Sequence, residues 1–293
     1  MNTSILNGSL LAILSITKYS PFRQSREAED VVMVHFNTGK KAGKFMKALI
    51  DPTDSVYRSI SVIESRARAY FYENTTPWGS QNATRLLVAS KYIDFITRMS
   101  ELRSEFEDAV EEFSKAYKGL IDEAKIRLGS LFDEHDYLSE AGLKERFSFD
   151  VELTPVASAK LSDCHLLSEY AEAIERDANA RLDKVVEQSV SSIYHRLIVV
   201  LNPFIDKLSQ NPVPIFRDSL VENITGATEF SKEYAAIFED SALIQCVAAV
   251  DHFAKTIVIS NLRNDRDYQN TCLKEAKRLL SVVMDNESSY TAD

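Results

Sequence analysis

The sequence predicts a mainly α-helical protein built on a long, antiparallel, coiled-coil-like helical hairpin. A small two- or three-stranded β element lies at its base, and a C-terminal helical region follows. Three observations predict this class. The 293 residues include only 8 Gly and 7 Pro, which leaves few loops. The stretches 92–128 and 161–209 carry apolar residues at steps of three and four. The segment 147–153 alternates apolar and polar side chains, as a strand does.

The stretch 92–128 organises the prediction. Its apolar residues follow a heptad seam, and charged side chains cover the other faces. A helix of about 36 residues is about 55 Å long, so it must pack along another long helix, from this chain or from a neighbouring copy. We expect it to begin near residues 87–90 and to end at Gly129. The seam consists of Phe95, Met99, Leu102, Phe106, Ala109, Phe113, Ala116 and Leu120.

The segment 1–90 is predicted to form a mildly basic head. Its apolar run 10–16 is rich in branched residues and predicts a buried strand; at about seven residues it is too short to be a membrane span. The run 31–36 is compatible with a second strand or with a short helix. Asp51 and Pro52 predict a helix start, with Asp51 as N-cap and Pro52 at the first helical position.

The second half of the chain supplies the partner elements. We expect the strand 147–153 to pair with 10–16, and the helix 161–209 to pack antiparallel against 92–128. Prolines at 212 and 214 mark the best domain boundary. The predicted domains are therefore 1–90, 91–211 with the strand 147–153, and 212–293, although the chain is also compatible with one continuous domain.

The C-terminal region is predicted to be helical. Its helical segments are 215–223, 229–238, 240–259 and 264–285, and the polar residues 286–293 are expected to form a frayed tail.

The distribution of charge and the number of cysteines indicate which partners and which cellular compartment suit this protein. The net charge is −10, but residues 1–90 hold 11 Lys and Arg against 7 Asp and Glu, so the head is +4 and the remainder −14. Such a division suits head-to-body self-association or an anionic partner, and it is also compatible with chance surface composition. Three separated cysteines imply no disulfide framework, which favours the cytoplasm. We expect no membrane association.

The sequence predicts no catalytic, cofactor-binding or metal-binding residue. The segment 39–44 resembles a phosphate-binding loop, but only three residues separate Gly39 from Gly43, and Phe45 follows Lys44 where Ser or Thr would hold magnesium. A flexible basic loop is the better interpretation. Without a catalytic motif, we expect a protein that is not an enzyme.

Histidine, cysteine and acidic clusters do not change that expectation. No histidine lies in a zinc-binding arrangement. Cys164 and His165 are adjacent, so on a helix they point to different sides, and a catalytic Cys/His pair would need a partner from elsewhere in the fold. The acidic run 133–136 could bind a cation, but it lacks the spaced ligands of a calcium loop, which favours a solvated turn.

Basic and aromatic residues near the head form the only candidate binding set. Such residues can hold phosphates and stack bases of single-stranded nucleic acid, although they more often pack a helix end and a turn against a core. We therefore predict an anion, nucleic-acid or inter-subunit contact at Lys40, Lys41, Lys44, Lys47, Arg66, Arg68, Tyr70, Tyr72 and Trp78.

The order of features resembles a known family. An apolar N-terminal strand precedes Ser65-Arg66-Ala67-Arg68 and then Thr76-Pro77-Trp78-Gly79; the acidic helix 104–113 and the strand 147–151 follow. This order is similar to the uncharacterised bacterial and phage proteins grouped as domain of unknown function 3150, most clearly over residues 60–155. The resemblance implies a phage or prophage origin and a cytoplasmic setting. It also implies a role beside MoxR-type AAA ATPases.

These observations favour a non-catalytic helical phage-type protein that assembles with copies of itself, as a ring or another large homo-oligomer. Its biological role is not disclosed by the sequence. The alternatives are a single-stranded nucleic-acid-binding protein for phage replication or recombination, and an adaptor of a MoxR-type AAA ATPase.

Overall fold

The computed structural model describes residues 5, 8–39, 42–79, 83–156, 168–210 and 216–291. The structure is 73% helix and 12% strand, which confirms the mainly α class with a small antiparallel sheet.

The elements are numbered in chain order. The strands are β1 (Ser9–Thr17), β2 (Phe22–Gln24), β3 (Met46–Ala48), β4 (Thr76–Pro77), β5 (Thr84–Val88) and β6 (Ser148–Pro155). The helices are α1 (Arg26–Phe36), α2 (Ser55–Asn74), α3 (Tyr92–Leu128), α4 (Glu140–Lys144), α5 (Ser168–Ser209), α6 (Ser219–Phe238), α7 (Ser241–Thr256), α8 (Ile259–Asn264) and α9 (Arg266–Thr291).

The main sheet has the strand order β4-β5-β1-β6, so the predicted strand 147–153 lies beside the strand 10–16 as expected. Strands β1 and β5 are antiparallel, with Ser9 opposite Val88 and Ile13 opposite Thr84. The sequence analysis missed β5. Its five residues run directly into a helical turn and into α3, so their apolar side chains were interpreted as the beginning of the long helix.

The chain forms two compact units that do not follow the three predicted segments. The middle unit comprises residues 14–73 and 93–151, and the C-terminal unit comprises residues 1–13, 74–92 and 152–293. Each unit is described by itself below.

Helix α3 provides the core of the middle unit. It ends at Leu128, beside the predicted end at Gly129, but it begins at Tyr92 and not at residues 87–90, because β5 and a helical turn occupy those positions. All seam residues are buried except Ala116, which is half-buried. Phe113 is fully buried, and its ring lies 5.6 Å from that of Tyr57 on α2 and 5.9 Å from that of Phe147, just before β6. Phe95 packs in the same way against Phe71 of α2, at 6.1 Å. The seam is therefore covered by a shorter helix and a strand.

Helix α2 begins three residues later than predicted. The carboxylate of Asp54 accepts hydrogen bonds from the backbone N–H groups of Val56 and Tyr57, which is the N-cap pattern. Asp51 instead accepts from the backbone and the hydroxyl of Thr53 in a local turn. Both aspartates precede an apolar stripe, so the sequence offers two caps and only the fold selects one.

In the C-terminal unit, α5 packs along α9 and α6. Tyr194 of α5 stacks on Tyr290 of α9 at 5.8 Å, and Phe204 meets Phe253 of α7 edge-on at 5.7 Å. Pro203 lies inside this helix. The predicted coiled-coil hairpin between α3 and α5 is not confirmed, because α5 finds long apolar partners within its own unit.

Two of the C-terminal helices are longer than predicted, whereas the predicted segment 240–259 ends at Thr256 as α7 and the short helix α8 follows it. The segments 215–223 and 229–238 join into α6, and α9 continues to Thr291 where a frayed tail was expected. Side-chain contacts stabilise this last stretch. Asn286 donates to the carbonyl of Val282 at 2.8 Å, and the hydroxyl of Tyr290 donates to the carboxylate of Asp240. The polar composition therefore did not indicate fraying.

Replacement of Phe113 by Ala tests the core of the middle unit. Because this side chain is fully buried among aromatic rings, we expect the substitution to lower the free energy of unfolding by about 3–5 kcal/mol. Urea denaturation followed by circular dichroism measures it. Ile126→Ala is the matched control, since Ile126 on the same helix is 86% exposed. Equal losses in the two variants would contradict the assignment of the core.

Candidate functional site

Three of the predicted binding residues are engaged inside the middle unit. The Lys47 ammonium is buried, forms an ion pair with Asp136 and donates to the carbonyl of Leu131 at 2.9 Å. Arg23 holds the other oxygen of the same carboxylate at 3.1 Å. The acidic run 133–136 is therefore not simply a solvated turn, since Asp136 is a buried partner of two cations.

The two predicted arginines of α2 also bind neighbouring carboxylates. Arg66 pairs with Glu105 of α3 at 2.7 Å. Arg68 pairs with Glu64 at 2.9 Å and donates to the carbonyl of Ile16 at 3.2 Å. Lys18 contacts the second oxygen of Glu64 at 2.7 Å. A phosphate would have to compete with carboxylates that already hold these guanidinium groups.

The predicted aromatic residues serve packing. Tyr70 stacks on Phe95 at 5.9 Å. Tyr72 is 44% exposed and contacts Phe71 edge-on at 5.7 Å. Trp78 belongs to the C-terminal unit, where it packs against the hydrophobic core. These three rings therefore do not form a continuous series of exposed aromatic faces on which nucleic-acid bases could stack.

In the described part of the loop that follows α1, Lys44 is the exposed residue of the predicted basic set. Lys40 and Lys41 lie outside the described residues, as do Cys164 and His165. The predicted basic surface is thus much smaller, within the described part of the chain, than the sequence suggested.

Within the described ranges, no group of three or more His, Cys, Asp or Glu side chains could hold a metal ion. Burial raises the pKa of the Cys246 thiol and of the Cys272 thiol. Burial therefore favours the protonated thiols, which are poor nucleophiles.

Exposed apolar side chains are concentrated on α1 and its neighbouring strands, and their exposure was not predicted from the sequence. Among the described residues, seventeen large hydrophobic side chains are exposed, and seven of them fall between residues 22 and 46. We call these seven the head surface. They are Phe22, Val31, Val32, Val34, Phe36, Phe45 and Met46. The apolar run 31–36 was the available signal. It was interpreted as a second strand or a short helix, and the structure has the helix.

Helix α1 exists with very little burial. Only Ala28 is buried, while Val34 is 83% exposed and Phe36 is 67% exposed. Local capping compensates in part: the hydroxyl of Ser25 accepts from the backbone of Ala28, and Asn37 ends the helix in the left-handed region with φ 49°. An eleven-residue helix is marginal in water on its own, so a covering partner would stabilise it.

One side of α1 lines an open pocket of about 280 Å³. Glu29 keeps the loop closed against the helix, since its carboxylate accepts from the backbone of Phe45 at 3.0 Å and from the Gln24 amide at 2.8 Å. We call this the α1 pocket. Its lining consists of Glu29, Val32, Met33, Phe36, Thr38, Ala42, Gly43, Lys44 and Phe45.

In the described part of the chain, no helix combines the length and the apolar character that crossing a membrane requires.

Comparison with family models, with curated proteins and with solved structures finds no match to this chain. The resemblance to domain of unknown function 3150 therefore stays a prediction, and the function has to be inferred from the geometry of the chain itself.

Lys47→Ala and Lys44→Ala separate a structural lysine from a surface lysine. Removal of the Lys47 ammonium leaves the buried Asp136 carboxylate with one cation fewer, so we expect a loss of about 3 kcal/mol in the free energy of unfolding. Lys44→Ala should change it by less than about 0.5 kcal/mol. Urea denaturation of both variants compares them, and a harmless Lys47→Ala would contradict the buried ion pair.

Glu64→Gln should change how the free energy of unfolding depends on pH in the acidic range. Burial alone raises the pKa of the Glu64 carboxyl, but hydrogen bonds from Lys18 and Arg68 outweigh it, and the pKa lies below its ordinary value of 4.5. Its stabilisation is therefore complete above the unfolded-state pKa and is lost as the pH falls through the lower folded-state value.

We expect Glu64→Gln to cost about 1 kcal/mol at pH 7 and to weaken the decline of stability below pH 4.5. Urea denaturation at several pH values measures both effects. Glu107→Gln is the control, because Glu107 is an exposed glutamate of the same unit. Parallel pH profiles for wild type and Glu64→Gln would contradict the prediction.

Proposed function

We propose that this protein is non-catalytic and acts by assembling with copies of itself through the head surface of the middle unit. The observation that carries the proposal is the exposure of seven large apolar side chains within 25 consecutive residues. Exposed apolar side chains concentrated in one region mark interaction sites in folded proteins.

The free energy of apolar burial favours a partner that covers this surface. Full burial of a Val or Phe side chain stabilises by about 1.5–3 kcal/mol relative to exposure. Val31, Val34 and Phe36 are 65%, 83% and 67% exposed. Their burial against a partner would provide the packing that α1 does not receive from its own unit.

The type of partner follows from charge. The first turn of α1 carries Glu27 and Glu29, with Asp30 next to them, so the helix lacks the basic polar face of a membrane-surface helix. The chain outside residues 1–90 carries a charge of −14. A second copy of this chain therefore offers acidic surface to the Lys44 side of the head.

Nucleic-acid binding is less well supported. Lys47, Arg66 and Arg68 hold carboxylates, and Tyr70 stacks on Phe95. An adaptor role beside an AAA ATPase rests on the family resemblance alone. Both readings stay predictions, as do a phage origin, a cytoplasmic setting and the ring form of the assembly.

Light scattering coupled to size exclusion tests self-assembly. We expect a mass that is a multiple of 33.1 kDa at micromolar concentration. Phe36→Asp should weaken association by at least roughly tenfold in dissociation constant, since it places a charge in an apolar contact. Val62→Asp is the matched control, because Val62 is a half-exposed valine on α2. A wild-type monomer at all concentrations would overturn the proposal.

A further inference from the structure

The strands β2 and β3, with α1 between them, form an excursion from the middle unit. The chain leaves at Pro21 and returns at Leu49, whose backbone N–H donates to the carbonyl of Pro21 at 2.7 Å. We call the described residues of this excursion, 22–39 and 42–48, the flap. All seven side chains of the head surface belong to it.

Little apolar packing holds the flap in place. Among its described residues, only Ser25, Ala28 and Lys47 are buried, and Ala28 is the apolar one. Its backbone is joined internally, since the N–H of Ser25 donates to the carbonyl of Phe45 at 3.0 Å. A segment with so few buried apolar contacts can open locally at a much lower free energy than the core.

One carboxylate holds both strands of the flap. The register of β2 and β3 places Arg23 directly opposite Lys47. Asp136, in the 3₁₀ turn Glu134–Asp136, contacts Arg23 at 3.1 Å with one oxygen and the Lys47 ammonium with the other. Lys47 also donates to the carbonyl of Leu131 at 2.9 Å. Asp136 therefore bridges the two strands and ties them to the segment that follows α3.

The same arrangement is unfavourable once the carboxylate is removed. Like charges that lie directly opposite each other destabilise an antiparallel pair, and Arg23 and Lys47 would then face each other alone. The Lys47 ammonium is buried, so it would also lose its counter-ion in a poorly solvated position. Strands of three residues each are too short to compensate.

The other contacts of the flap lie at its hinge. Arg127 of α3 donates to the carbonyl of Ala48 at 2.8 Å, and the hydroxyl of Tyr137 donates to the carbonyl of the buried Leu49 at 3.1 Å. Within the described residues, the hydrogen bonds and ion pairs that join the flap to distant segments all lead to 127–136. The hinge is therefore fixed beside the end of α3.

We propose that Asp136 is a latch for the flap. Bound to Arg23 and Lys47, it holds the flap closed, and its release lets the flap open as a unit while the core around α3 stays folded. Because the flap carries the head surface, opening removes the ordered form of that surface. Control of self-assembly by the latch rests on the proposed function, whereas the opening itself does not.

Hydrogen exchange followed by mass spectrometry tests the opening. The parent chain carries Phe36→Asp, which weakens the proposed assembly, so that protection reports closure of the flap within one molecule. We expect the addition of Asp136→Asn to speed exchange of the flap amides at least roughly tenfold. Exchange of residues 95–120 in the core of α3 should not change.

Asp133→Asn in the same parent is the matched control. Asp133 precedes the same 3₁₀ turn, its side chain is 54% exposed, and it accepts from the backbone of His135. Asparagine can form the same cap, so this variant also loses one negative charge but keeps the latch. We expect its flap to exchange at the rate of the parent.

Three outcomes would overturn the latch. One is equal exchange of the flap in Asp136→Asn and in the parent. Another is a flap that is already unprotected in the parent. The third is a variant whose α3 amides lose protection together with the flap, or which does not fold, because the flap would then not open as a separate unit.

A double-mutant cycle tests the pairing within the latch. Lys47→Ala alone should speed exchange of the flap, but it should add little in a chain that already carries Asp136→Asn, because the contact is then absent. Additive effects of the two substitutions would contradict the pairing of Lys47 with Asp136.

Light scattering of Asp136→Asn, with Phe36 retained, tests the link to assembly. We expect weaker association than in the wild type, because only the closed fraction of the flap presents the ordered head surface. Faster exchange with unchanged association would overturn control of assembly and leave the latch intact. A wild-type chain that stays monomeric overturns the proposed function, and the exchange experiment still decides whether the flap opens.

Discussion

The aromatic seam of α3 is the constraint on which the middle unit depends. Phe95, Phe106 and Phe113 are almost completely buried, and a helix of this length cannot cover its own apolar stripe. Several short elements cover different parts of the stripe. Phe71 and Tyr57 of α2 contact it, and so do the residues around β6. Because each cover is local, α3 does not require one long partner helix.

Ion pairing within the middle unit engages three of the four described cations that the sequence analysis assigned to a binding set, namely Lys47, Arg66 and Arg68. Lys18, Lys47, Arg66 and Arg68 each hold a carboxylate of the same unit. These cations therefore hold the loop at Asp136 and link helices α2 and α3, and they are not available to attract a distant anion. The net charge of a segment does not indicate how many of its cations are free.

Helix α1 has well-defined ends but almost no buried side chains. Its caps, Ser25 and Asn37, define the helix locally, while its apolar side chains remain in water. A helix with well-formed ends and an uncovered body is the arrangement expected of an element that completes its packing in an assembly.

Some elements could be predicted from the sequence alone, because their side-chain pattern is local and long. They are the long helix α3 with its end, the strand 147–153 with its pairing to 10–16, and the helical character of the C-terminal region. The tertiary structure alone decided which helix packs on which, that Lys47 is buried, and that the run 31–36 is uncovered. Periodicity reports that a face is apolar, because 3.6 residues make a turn, but it does not report which surface meets that face. The cover for α5 comes from α6 and α9, and the partner of Lys47 comes from 89 residues further along the chain, so no local pattern could have revealed either.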